Sequence, residues 1–293
     1  MGIFAAGTQI ASMTVLPIRT IASTKNPVIA EFKDHFSRSS YRKSPLFPIE
    51  GPQLIEDAIH ARLRVEAVLF HQEFAESEDG SRIIGKCAAS SVLLYRTSEQ
   101  VLRRAAATEN PQGILALARK PLMEDVDALV CAPVPILALL DVQDPGNCGT
   151  LVRTFMAFGG KLIVTIDSTA DPYGPKAVRA SAGAVFRAAT LHFPTTEKFR
   201  QFEPLKELPW IGTSPSGGRP PDQCQAKMPF ILLIGNERAG LPGIILNLCR
   251  ERLCLPISRD IESLNAAVAG SLIIYELARS FHFGPFHPDS AVK

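Results

Sequence analysis

Residues 136–154 read Ile136-Leu137-Ala138-Leu139-Leu140-Asp141-Val142-Gln143-Asp144-Pro145-Gly146-Asn147-Cys148-Gly149-Thr150-Leu151-Val152-Arg153-Thr154. The opening apolar run to Asp141 has no polar alternation, the pattern of a parallel strand covered on both faces. The Asp144–Gly149 stretch, rich in Gly, Pro and Asn, reads as a turn. A helix is predicted from about Thr150 to Phe158, ended by Gly159-Gly160. The same rhythm continues downstream. Strands are predicted at Leu162–Ile166, Thr190–Phe193, Pro209–Thr213 and Phe230–Ile234, with a helix start within Gly174–Ala182 and an apolar helix from Ala266 to about Arg279. Strand, turn and helix in repetition give an α/β fold with a parallel sheet. Ligands of such sheets bind beyond the carboxyl ends of the strands.

Upstream, a smaller α/β unit is expected over residues 18–120. Ser23 or Thr24 caps a predicted helix from Pro27 to Ser37, with proline early in the first turn. Leu46 to Gly51 reads as a short strand and turn, followed by a helix from Pro52 to about Ala61. Val65–Phe70, Ser91–Tyr95 and Gly113–Leu117 supply further strands. Residues 121–134 are read as a linker, since Pro121 to Pro135 holds three prolines and three acidic residues. The second unit spans 135–284, and residues 1–17 and 285–293 are read as tails.

The chain has 293 residues, enough for two such units, and 46% hydrophobic and 20% charged residues, a globular composition. The net charge of +2 says little, but its distribution is uneven. From Arg19 to Lys43 there are six basic residues (Arg19, Lys25, Lys33, Arg38, Arg42, Lys43) against Glu31 and Asp34. This segment is either a nucleic-acid-facing surface or a solvated helix face. The six cysteines form no Cys-x-x-Cys pair and have no histidine at zinc spacing, so no metal is expected. They are read as buried and reduced, which points to a cytoplasmic protein. The uncharged first eighteen residues lack a basic n-region, and no apolar stretch is long enough to span a membrane.

Three segments of the second half stand at predicted strand ends. Asn147-Cys148-Gly149-Thr150-Leu151-Val152-Arg153-Thr154 puts Arg153 nearly one and a half helical turns beyond a turn asparagine, so both can face one crevice if the turn folds back. Gly235-Asn236-Glu237-Arg238-Ala239-Gly240-Leu241 has glycines at both ends, which allow close backbone approach. Leu255-Pro256-Ile257 leads to Ser263-Leu264-Asn265, where Ser263 or Asn265 caps the last helix. Gly235 and Gly240 lack the Lys-Ser/Thr of a P-loop, and no Gly-x-Gly-x-x-Gly opens a helix.

Taken in order, the three segments resemble the signature motifs of the SpoU branch of the SPOUT RNA methyltransferases. Asn147, Gly149, Arg153 and Thr154 match the first motif; Gly235, Glu237, Gly240 and Leu241 the second; Leu255, Pro256, Ser263, Leu264, Asn265 and Ala269 the third. The stretch Arg179 to Arg187 is also similar. Ile21 to Pro27 and Phe47 to Gly51 resemble the family's RNA-binding domain, which has a ribosomal-protein-L30e-like fold. Ser258 to Glu262 is more charged than the family's usual segment there.

The resemblance implies a deep trefoil knot in the second domain and S-adenosylmethionine (AdoMet) as cofactor. It implies a cofactor pocket at Thr213, Gly235, Leu255, Ile257 and Leu264. It also implies a homodimer whose active sites borrow residues from the partner, and methylation of a ribose 2′-hydroxyl, in ribosomal RNA, without a metal. Arg153 is expected to orient the ribose and stabilise negative charge on the attacking oxygen, because a guanidinium resists acting as a base. Asn147, Glu237, Ser263 and Asn265 are expected to position Arg153 and the nucleotide, and Lys25, Arg38, Arg42 and Lys43 to bind RNA. Three alternatives stand beside this reading: tRNA ribose methylation, a catalytically silent RNA-binding or ribosome-assembly protein, and, last, a Rossmann-type small-molecule enzyme, whose fingerprint is missing.

Overall fold

The structure is a computed structural model that describes residues 17–37, 44–121, 126–258, 260–261 and 263–287. Arg38, Arg42, Lys43 and most of both expected tails therefore lie outside the described residues. Two sheets organise the chain. The first contains β1 (Arg19–Thr20), β2 (Leu46–Glu50), β3 (Val65–His71), β4 (Leu93–Thr97) and β5 (Ile114–Arg119). Its order is β1-β4-β3-β5-β2, parallel from β1 to β3 and antiparallel from β3 to β2. The second contains β6 (Ile136–Leu140), β7 (Leu162–Ile166), β8 (Ala189–Phe193), β9 (Trp210–Thr213), β10 (Ile231–Ile234) and β11 (Glu251–Leu253). Its order is β11-β9-β10-β6-β7-β8, parallel throughout.

The central runs of β6 and β10 are unbroken because the second sheet is covered there on both faces. Successive side chains of a strand alternate faces, and β6 sorts accordingly. Leu137 and Leu139 join the core under the Pro145–Ala157 and Ala266–Ser280 helices, while Ile136, Ala138 and Leu140 join the core opposite. The first core also runs into the amino-terminal half. The Phe47 ring lies 4.9 Å from Tyr173 and 5.9 Å from Phe186, so the two halves share one apolar seam. Arg179 to Glu50 (3.8 Å) and Lys120 to Asp171 (3.2 Å) add ion pairs across it.

Several elements differ from expectation. The first helix is capped by Asn26, whose Oδ1 accepts from Val28 N–H at 2.9 Å, not by Ser23 or Thr24. The segment expected as a linker contains a helix, Val126–Val130, whose apolar side chains join the second core. Phe286, expected in a tail, stacks on Phe158 with centroids 6.1 Å apart. The helices Glu78–Ala88 and Glu99–Ala105 and the strand β11 were not expected. Cys87 and Cys148 are buried, Cys131 is exposed, and the other three are half-buried. Among the described residues, no helix is long and apolar enough to cross a membrane.

The difference with most consequence for the site concerns Asp144–Gly149, expected as a turn. It is the first part of the Pro145–Ala157 helix. Asp144 Oδ1 accepts from the N–H groups of Gly146 (2.7 Å) and Asn147 (3.0 Å), and Pro145 stands in the first turn. A composition that breaks helices in the middle begins one here. Gly149 is required by packing: a Cβ there would lie 2.4 Å from the carbonyl oxygen of Ala177.

Candidate active site at the carboxyl ends of the parallel strands

The loops leaving β9, β10 and β11 meet at one end of the sheet and enclose a pocket with the start of the Ala266–Ser280 helix. Thr213, Gly235, Leu255, Ile257 and Leu264, all expected to hold a cofactor, line it together with Glu237 and Ser263. Its walls are largely apolar, with Ile273 behind them, and Thr213 Oγ1 is tied to the Leu233 carbonyl at 3.1 Å. Gly235 leaves no room for a side chain, since a Cβ would lie 2.5 Å from the Gly240 carbonyl carbon. Gly240 closes this loop with a φ of 65°, in the left-handed region that glycine tolerates. Asn236 shapes the same loop by accepting from Arg238 N–H (2.9 Å) and Ala239 N–H (3.0 Å) and donating to the Asp141 carbonyl (2.9 Å).

A larger cleft of about 1190 Å³ opens beside this pocket, between the two halves of the chain. Asn236, Glu237 and Arg238 line both cavities and form their common wall. A polar chain runs along that wall. Glu237 accepts from Gln143 N–H (3.3 Å), Asp144 N–H (3.0 Å) and the Asn147 side-chain amide (3.1 Å). Asn147 Oδ1 in turn accepts from Asn265 Nδ2 at 3.1 Å. Asn265 Oδ1 caps the last helix by accepting from Ala267 N–H (2.9 Å) and Val268 N–H (3.1 Å). The cap is Asn265 rather than Ser263, and one residue from each motif is thereby joined to the next. Burial pushes the Glu237 carboxyl up, but the hydrogen bonds from Asn147 and the surrounding backbone N–H groups outweigh it and hold it below 4.5. Glu237 is thus an ionised acceptor at neutral pH.

Arg153 does not join this group within one chain. It is exposed and lines neither cavity. Because the helix begins at Pro145, no turn folds back between Asn147 and Arg153. Six helical residues carry Arg153 about 9 Å along the axis and roughly 120° away around it. Its neighbour Thr154 meets Ser271 of the last helix, Oγ1 to Oγ 2.9 Å. That helix exposes Val268 (49%), Leu272 (45%) and Tyr275 (41%). Lys25 is exposed and lies away from both cavities' linings.

Sequence reading passed over Lys176, Asp144 and Asp171, which line the cleft beside Arg179 and Arg238. Their only local signal is the position of Lys176 and Arg179 one helical turn apart on a short helix, Pro175–Ala180, that faces the cleft. Among the described residues no group of three or more His, Cys, Asp or Glu side chains is placed to hold a metal ion.

Comparison with known proteins bears on these cavities. The model of the SpoU rRNA Methylase family matches residues 135–275, and that of the MRM3-like substrate binding domain matches residues 26–116. The chain is 29% identical over 262 residues to the 23S rRNA (guanosine(2553)-2'-O)-methyltransferase of Bacillus subtilis, covering 89% of this chain and 99% of that one. It is 28% identical over 255 residues to the 23S rRNA (uridine(2479)-2'-O)-methyltransferase of Streptomyces viridochromogenes, covering 83% and 86%. Its fold matches the crystal structure of an AdoMet-bound rRNA methyltransferase from Sinorhizobium meliloti with a TM-score of 0.76, at 24% identity over 89% of this chain and 98% of that one. The motifs, the parallel sheet and the matched segments agree: residues 135–275 are a SpoU rRNA methylase domain, with an MRM3-like substrate-binding domain ahead of it at residues 26–116.

Proposed function

We propose that this protein transfers the methyl group of AdoMet to a ribose 2′-hydroxyl of ribosomal RNA. The observation that carries the reading is the shared wall of Asn236, Glu237 and Arg238, with an apolar pocket on one side and a broad polar cleft on the other. Transfer between two bound molecules needs two such sites in contact, because the reacting atoms must be held close together. The pocket's residues fit AdoMet. Leu255, Ile257 and Leu264 offer an apolar bed, and the side-chain-free backbone at Gly235 offers main-chain groups. Its enclosed space of about 160 Å³ suits a cofactor lying partly in the pocket and partly at its open mouth. When bound, AdoMet supplies an electrophilic methyl carbon. We read the convergence of the three loops as the trefoil knot of the family.

The chain's own residues divide the remaining work. Glu237, with its lowered pKa, is a poor proton acceptor and acts as a positioning residue. It fixes the Asn147 amide and the start of the Pro145–Ala157 helix, and Asn265 holds Asn147 from the other side. Ser263, exposed at the pocket's edge, is free to meet the ribose or the cofactor. Lys176, Arg179 and Arg238 give the cleft the cations that RNA phosphates require, and Lys25, Arg38, Arg42 and Lys43 of the basic segment 19–43 supply further RNA contacts. Arg153 acts from a second copy of the chain. The Val268, Leu272 and Tyr275 stripe is the face that a partner covers, and Arg153, whose neighbour Thr154 meets Ser271 of the same helix, enters the partner's pocket to steady charge on the attacking oxygen. The protein then works as a homodimer in the cytoplasm.

Incubation with AdoMet and unmodified 23S rRNA, followed by nuclease digestion and mass spectrometry, tests the reading. A single 2′-O-methylated nucleoside is expected; a base-methylated product, or none, contradicts it. Label on tRNA alone favours the tRNA alternative. Mixing two inactive proteins, Arg153→Ala and Leu264→Asp, tests the dimer. Restored turnover is expected, since one mixed site keeps both groups, and no restoration rejects action from the partner.

A further inference from the structure

A third cavity, of about 220 Å³, lies at the opposite edge of the parallel sheet, where β8 is the terminal strand. It sits on the seam between the halves. Lys120, just after β5, closes it from one side, and the loop after β7 and the strand β8 form the rest. Asp171 lines both this cavity and the large cleft, so the two adjoin.

The lining holds polar groups that the fold itself does not use. Tyr173 is 3% exposed, and its hydroxyl has no hydrogen-bond partner of normal geometry among the described residues. Thr190 lines the same cavity, and its side chain lowers the phenol's pKa against the larger effect of burial. Burial pushes the Tyr173 phenol up to about 12, so it remains an O–H donor at neutral pH. The ring is fixed, with Phe47 4.9 Å away and the Lys120 ammonium 5.4 Å from its centroid. His192 is exposed and bonds through Nδ1 to Thr165 Oγ1 at 3.1 Å, with Nε2 unengaged among the described residues. A buried, unpaired hydroxyl costs stability, and such a group calls for a partner.

The chemistry narrows what that partner is. Lys120 and Asp171 neutralise each other at 3.2 Å, so the cavity offers no net charge to a phosphate. Tyr173, Thr190 and His192 offer a mixture of donors and acceptors, which suits the edge of a neutral heterocycle. The volume is below the ~300–1,000 Å³ typical of drug-sized ligands, a scale matching a single ring system. The adjoining cleft is where the RNA strand is placed by the reading above.

We propose that this cavity is a base-reading subsite, which takes one nucleobase of the RNA strand lying in the cleft and hydrogen-bonds its edge through Tyr173, Thr190 and His192. The proposal rests on the methyltransferase reading, and it gives the enzyme a means of choosing its RNA at a distance from the reacting ribose. Unpaired bases read along their edges are the usual route to sequence-specific RNA recognition.

The test compares Tyr173→Phe and Thr190→Val with the parent protein in methylation of unmodified 23S rRNA. Each substitution removes one hydroxyl and leaves the shape. The KM for RNA is expected to rise about tenfold, as for one lost hydrogen bond, with kcat and the KM for AdoMet unchanged. A Tyr173→Phe protein with unchanged RNA KM and a raised melting temperature overturns the proposal, since that is how a merely orphaned hydroxyl behaves. A second measurement does not depend on turnover. The His192 imidazole NMR signals, assigned with His192→Gln, are followed while adenosine, guanosine, cytidine or uridine is added. Selective shifts with one nucleoside support the subsite, and no shift with any of them rejects it. Absence of RNA methylation by the parent protein would count against the functional reading, while the nucleoside titration would still decide on the cavity.

Discussion

The two sheets of this protein use similar strands to different ends. In the six-stranded sheet every strand runs the same way, so the loops leaving β9, β10 and β11 emerge on one side and can surround a ligand. In the five-stranded sheet β2 and β5 oppose their neighbours β5 and β3, and the strand ends are divided between its two edges. The parallel sheet therefore builds the pocket. The half built on the mixed sheet contributes a wall of the cleft, through Phe36 at the end of its first helix and the loop residue Ala107, and one face of the shared core. Strand direction decides which half can concentrate chemistry, and the seam between the halves decides how the cleft is held.

The strongest challenge to this division is at the seam. Phe47 is fully buried between the halves, and Phe47→Ala is expected to cost about 3–5 kcal/mol. If the halves share one core, both sheets melt together at lower denaturant, seen as coincident fluorescence and circular dichroism transitions. Two separated transitions would show independent units. Next in size is Glu237→Ala, which leaves the Asn147 amide and two backbone N–H groups without their acceptor. Misplacement at the common wall is expected to lower kcat/KM about 10²-fold, measured by methyl transfer at saturating AdoMet.

The same carboxylate makes a pH prediction. Its pKa is lowered on folding, so its stabilising contribution is present above 4.5 and is lost as pH falls through the lower folded value. The stability difference between the parent and Glu237→Gln should be constant near neutrality and shrink below pH 4.5, in urea titrations across that range. A difference that grows on acidification would contradict the assignment. A smaller effect is expected from Asn265→Asp, which keeps a helix-capping acceptor but loses the donor to Asn147. Turnover should fall about tenfold, with the melting temperature nearly unchanged; a large loss of stability instead would mean that the polar chain serves folding only.

The parallel sheet was legible because each strand announces itself locally. Leu162–Ile166 is an apolar run with one β-branched threonine, Thr165, closed by Lys161 and Asp167, and the strand matches it at both ends. The pocket was legible because Gly235, Leu255 and Leu264 belong to ordered motifs, with Ile257 beside the third and Thr213 at a predicted strand end. Other parts depended on contacts that no local pattern carries. Asp144–Gly149 has the composition of a turn because Pro, Gly and Asn weaken a helix interior, yet these residues suit a first helical turn, and that single shift puts Arg153 on another face of the helix from Asn147. The Glu78–Ala88 helix carries two glycines and begins at Ser77, whose Oγ accepts from Gly80 N–H at 3.0 Å. Its existence rests on burial of Ile83, Ile84 and Cys87 more than on propensity. The Tyr173 cavity joins Lys120 to residues some fifty to seventy positions later, and packing alone brings them together.

Isothermal titration of AdoMet into the parent protein and into Leu264→Asp tests the central claim most directly. Leu264 is 36% exposed, so the substitution should leave the fold intact while placing a carboxylate on the pocket's apolar wall. The account predicts saturable binding by the parent and at least tenfold weaker binding by Leu264→Asp. Equal affinity in the two proteins, or no binding by the parent, would contradict it.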